Sequence, residues 1–142
     1  MVHDLYAQEV ELVNQLRLGV SDNLPDLFAS RTKRWPHPLM HDECFTLATF
    51  GDLTQNISND RAFSLIPIAV DIALQQSDQK LFLTALSLIN DLVRASQTTE
   101  LPVTLIEKKN NLEERILSFS NNHELQIYWS SIKEWYRLSS DL

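Results

Sequence analysis

His37 and His41 stand four residues apart and are followed at once by Asp42, Glu43 and Cys44. Inside one helix, histidines at that spacing share a face, and with thiolate or carboxylate neighbours they are the donors that hold zinc. Pro38 works against this arrangement. A residue before proline is pushed out of helical geometry, so His37 falls ahead of the helix start and the pair is broken. His3 and His123 are left without recognisable ligand spacing, so neither a metal nor a cofactor is expected.

Cys44, the only cysteine, could act as a nucleophile if the fold brought it a histidine base. Its neighbours Asp42 and Glu43 are anionic and would raise the thiol pKa, the opposite of activation. The chain contains no glycine-rich phosphate loop, GxSxG elbow or HExxH pair, and no enzymatic activity is expected. Arg31, Lys33, Arg34 and Trp35 combine cations with a stacking ring, as single-strand nucleic-acid binders do. Those charges do not outweigh 19 Asp and Glu against 12 Lys and Arg, a formal net charge of −7, so nucleic acid is not the expected partner. A basic protein is.

The acidity is concentrated. Between Trp35 and Gln79 lie Asp42, Glu43, Asp52, Asp60, Asp71 and Asp78, opposed by Arg61 alone, so 45 residues carry a formal −5. A lone cysteine suits a reducing compartment, the N-terminal stretch lacks the basic and apolar regions of a signal peptide, and no apolar run is long enough to span a bilayer. A cytoplasmic, soluble chain without membrane contact is expected.

The elements that must position these residues are helices. Two glycines in 142 residues argue against tight hairpins, and apolar residues recur at helical spacing almost throughout. The periodicity predicts a first helix over 3–20, with Leu5, Leu12, Val13, Leu16 and Val20 inward, and a short turn near Pro25 to Ser30. Pro38 opens a second helix that runs to about Gln55. A third covers about Arg61 to Gln76 and is apolar around nearly its whole circumference, with Pro67 expected to kink or split it. A fourth runs from about Asp78 to Ser96, a fifth opens at Pro102, and Asn121 and Asn122 precede a last helix bearing Leu125, Tyr128, Trp129, Ile132, Trp135 and Tyr136. Packing is the first reading of that aromatic set, with one of Trp129 and Trp135 partly exposed.

The expected fold is therefore all-α, a single domain over 1–142 of about six helices with short connections and antiparallel neighbours. Pairing helix two with three and four with five sets starts near Pro38 and Asp78, 40 residues apart, inside the 40 to 47 window of HEAT and armadillo units. The stretch SDQKLFLTALSLINDLVR resembles the second helix of a HEAT unit, with an acidic residue in the turn before a leucine-rich helix. A HEAT-like α-superhelical stack is expected in preference to a compact bundle.

The string ASQTTELPVTL followed by IYWSSIKEWYRL resembles small bacterial proteins encoded beside polymorphic toxins, including immunity proteins of contact-dependent growth inhibition systems, over about residues 83 to 138. That resemblance implies a cytosolic inhibitor that binds one cognate toxin domain and covers its active site or substrate path. Many such toxins are nucleases, which must be basic to hold a polyanion, and an acidic inhibitor can occupy the same surface through complementary fields. The expected contact is about 800 Å² on each partner, with Asp42, Glu43, Asp52, Asp60, Asp71 and Asp78 as its candidate residues. Asp60 and Asp78 also sit where helix caps belong. The rival reading is a helical adaptor that presents a concave surface to a peptide or partner helix.

Overall fold

The computed structural model describes residues 2–33 and 50–138 and is helical without strands among them. Among the described residues seven helices follow one another: α1 (Val2–Leu18), α2 (Leu24–Thr32), α3 (Gly51–Thr54), α4 (Asn59–Leu74), α5 (Gln79–Ser96), α6 (Val103–Ser118) and α7 (His123–Tyr136).

The ends of these helices have chemical causes. Gly19, at φ +78°, stops α1, and Val20 N–H returns to the Gln15 carbonyl at 2.9 Å, a Schellman closure. Val20 consequently leaves the apolar stripe expected of it and stands 73% exposed. The stretch expected as one turn near Pro25 is a nine-residue helix, because Leu24, Leu27, Phe28 and Arg31 form a buried stripe behind the Asn23 cap. Ser58 caps α4 through the Arg61 amide, Asp78 caps α5 through the Leu81 amide at 2.9 Å, and Pro102 precedes α6. The α4 helix continues across Pro67 and is not split there.

The closest packing joins α4 to α5, one helix out of phase with the pairs suggested by the 40-residue interval. Beyond that pair, α4 packs on α2 and α6, α5 packs on α7 and α3, and α1 packs on α2 and α3. The helix covered on nearly all sides is α5, whose Phe82, Leu86, Leu88, Ile89, Leu92 and Val93 are all at 1% exposure or less. Burying each such side chain contributes about 1.5–3 kcal/mol. The sequence suggested that role for α4, but α4 keeps one face open.

Two arginines seal helix ends from a distance. Arg61 of α4 donates to the carbonyls of Leu16 and Ser21 and to the Asp22 carboxylate, each at 2.6 Å, which satisfies the C-terminus of α1. Arg115 of α6 donates to the carbonyls of Leu74 and Gln76 at the C-terminus of α4.

Candidate functional site

The open face of α4 follows from its sequence. At about 100° per residue, Asp60, Ser64, Asp71 and Gln75 fall within one narrow arc, and all four are exposed. Half-buried Phe63, Pro67 and Ile68 lie along the same side. The opposite side carries Ala62, Leu65, Ile66, Ala69, Val70, Ile72 and Ala73, all buried. Asp60 stands in the first turn, where a carboxylate favours the helix dipole. Asp71 stands in the last turn, where the dipole opposes it and α4 supplies no basic residue. Asp60, Asp71 and Asp78 make no ion pair among the described residues. Arg61, the one cation of α4, bonds the Leu16 and Ser21 carbonyls and pairs with Asp22, while its Nη1 donates to Ser64 Oγ at 3.2 Å beside this face.

Asp52 is placed differently. Its two carboxylate oxygens each accept from Arg31 at 2.7 Å, and the Arg31 side chain is only 6% exposed and lies 5.8 Å from the centre of the Phe50 ring. Burial alone would raise the Asp52 pKa, but the Arg31 hydrogen bonds and charge, with the Leu53 amide, override it and hold the carboxyl below its ordinary value. Glu9, 2% exposed, accepts from Ser30 at 3.0 Å and lies 3.9 Å from Arg31. Asp52 thus has a role in the fold, while about half of its side chain stays exposed. Asp42 and Glu43 lie outside the described residues, as do His37, His41, Cys44, Arg34 and Trp35.

The remaining sequence candidates separate. No three described His, Cys, Asp or Glu are grouped to hold a metal ion, and no described helix is long and apolar enough to cross a membrane. Of the basic and aromatic group, Arg31 faces inward and Lys33 outward. In the C-terminal aromatic set Trp129 is fully buried, while Trp135 is half-buried, with the Arg94 guanidinium 5.5 Å from its ring.

Several charged groups inside the protein were not anticipated. Glu113, 6% exposed, accepts from Trp129 at 3.0 Å and from Lys109 at 3.1 Å, with Lys133 at 3.7 Å. The signal was present in the spacing: Glu113 shares a stripe with Leu112 and Ile116, and Glu9 shares one with Val13 and Leu16. Asp91 of α5 is partly buried, which pushes its pKa up to about 6 against the opposing charge of Arg94. A shallow depression of about 330 Å³ lies between the starts of α5 and α7, lined by Gln79, Lys80, Leu83, Asn121, Glu124 and Leu125.

Comparison of the chain with protein-family models, curated proteins and solved structures finds no match.

Proposed function

We propose that the chain is an immunity-type inhibitor, a cytoplasmic non-enzymatic protein that neutralises a cognate basic toxin domain, in the leading form a nuclease. It would cover the toxin's active site or substrate path with the acidic face of α4. The observation that carries this reading is the state of Asp60 and Asp71. Both are exposed on one side of α4, neither has an ion-pair partner among the described residues, and the helix's own cation pairs with Asp22 instead. Asp71 stands in the last turn, where the helix dipole disfavours a carboxylate.

The scaffold in this proposal is a HEAT-like stack of antiparallel helices rather than a compact bundle. Packing of α2, α4 and α6 in succession, and of α3, α5 and α7 beside them, supports two layers. A second reading, a helical adaptor for a peptide or partner helix, draws support from Val103, Ile106 and Leu117, which are 58–67% exposed along α6.

The deciding experiment combines the purified chain with the toxin domain encoded beside its gene and follows both toxin activity and binding. Inhibition by one equivalent is expected, with affinity lowered at least about tenfold by Asp60→Asn with Asp71→Asn and an unchanged melting temperature. Full toxin activity in the presence of excess chain overturns the proposal. So does an affinity indifferent both to the double variant and to a rise from low to physiological salt. Loss of binding on Ile106→Glu with Leu117→Glu, but not on the aspartate changes, would favour the adaptor.

A further inference from the structure

We infer that the occupant of the α4 face is a basic amphipathic helix of the partner, laid along α4 with two cations on Asp60 and Asp71 and an apolar residue between them. This rests on the acidic-face reading above and adds the shape of what binds there.

Spacing gives the first reason. Asp60 and Asp71 are eleven residues apart, three turns, which places them about 16 Å apart along the axis and within about 20° of each other around it. A helix laid alongside repeats cations at that same interval on one of its own faces.

Between the two aspartates the face changes character. Phe63, Pro67 and Ile68 are half-buried and apolar, and Ser64 is small and exposed. This is the anatomy of an interface, an apolar centre with a charged rim. Phe63, Pro67 and Asp71 form a ridge at intervals of four, and Ser64 and Ile68 run beside it, the relief into which another helix packs. An extended partner strand would need a row of free backbone donors and acceptors to pair with, which a continuous helix lacks.

Pro67 adds an acceptor at the centre. Having no N–H, it cannot bond the Phe63 carbonyl, so that oxygen loses its regular intrahelical donor beside the apolar patch. A lysine or arginine reaching over the patch would find a carbonyl there as well as a carboxylate at either end. Arg61, the one cation of α4, makes its ion pair with Asp22 and meets this face at the Ser64 hydroxyl, 3.2 Å from Nη1, rather than at either aspartate.

The test titrates the isotope-labelled chain with two synthetic peptides of about 18 residues, long enough for helix formation. One is a Lys/Leu amphipathic helix with its lysines in register over three turns. The other has the same charge dispersed in a Gly/Ser background. Amide shifts centred on residues 60–75 are expected for the helical peptide, which should bind at least about tenfold tighter than the other and lose that advantage with Asp60→Asn plus Asp71→Asn. Equal binding of both peptides at α4 would overturn the helical occupant while leaving the acidic-face reading intact. Shifts centred on α6 and α7 would overturn it in favour of the exposed apolar stripe. No binding by either peptide would sink both readings.

Discussion

Trp129 donates its indole N–H to the Glu113 carboxylate at 3.0 Å, a buried bond that ties α7 to α6. Glu113 also neutralises Lys133, itself only 4% exposed, so the indole orients a carboxylate on which a buried cation depends. Trp129→Phe removes the donor and leaves space beside it, and should cost about 1–3 kcal/mol. Urea denaturation with an unchanged m-value is the measurement, and a loss below about 0.5 kcal/mol would show that the bond does not hold the two helices.

Asp52 should act on stability before it acts on any partner. Asp52→Asn removes the closer of the two carboxylates beside the buried Arg31 guanidinium, leaving Glu9 at 3.9 Å, and should cost about 1–2 kcal/mol, less than for a fully buried pair because half of the carboxylate meets water. The folded-state pKa is depressed, so the stabilisation is present above the unfolded value of about 3.9 and is lost as pH falls through the folded value. Acid titration of the melting temperature should show a steeper fall below about pH 4 in the parent than in the variant.

Asp91 should behave in the opposite sense. Its folded pKa, about 6, lies above the unfolded value, so the folded chain binds the extra proton and loses stability as pH rises from about 4 to about 6. Asp91→Asn abolishes that loss and should be more stable than the parent by about 1–2 kcal/mol at neutral pH, with the difference closing near pH 4. A variant less stable at neutral pH would mean that the carboxylate has a favourable role.

The Tyr136 hydroxyl is buried without a hydrogen-bond partner among the described residues, and burial pushes its pKa up to about 12. Tyr136→Phe should leave stability unchanged or raise it by up to about 1 kcal/mol. Calorimetry would refute this with a drop of the same size.

Much of this architecture was legible in the sequence, and the exceptions share a cause. The stripe of Phe82, Ala85, Leu86, Ile89, Leu92 and Val93 marked α5, and Asp78 and Pro102 marked where α5 and α6 begin. The α2 helix was harder to see, because Pro25 and Asp26 read as a break while Arg31, its fourth buried position, is charged. A count of charges along the chain weighed Asp52 and Asp71 alike. Only the fold brings Arg31, 21 residues away, onto Asp52 and leaves Asp71 without an ion pair among the described residues. The shared face of Asp60 and Asp71 was present in their eleven-residue interval. The pairing of Arg61 with Asp22 rather than with either of them was not, since it depends on where α1 ends.

Gln97 closes α5 in the left-handed region at φ 54°, a conformation that glycine adopts without strain. Gln97→Gly should raise stability by roughly 0.5–1 kcal/mol, the relief exceeding the entropy that glycine adds to the unfolded chain. Thermal unfolding would show it as a higher midpoint, and a lowered midpoint would count against strain at that residue.

Arg115 reaches back 39 and 41 residues to bond Gln76 and Leu74, as Arg61 reaches back 45 to Leu16. A nascent chain is made in the other direction. The last turns of α1 and α4 are therefore drawn tight only when later segments arrive, and a polypeptide cut short before Arg115 would keep a frayed edge on α4 however well its apolar side is buried.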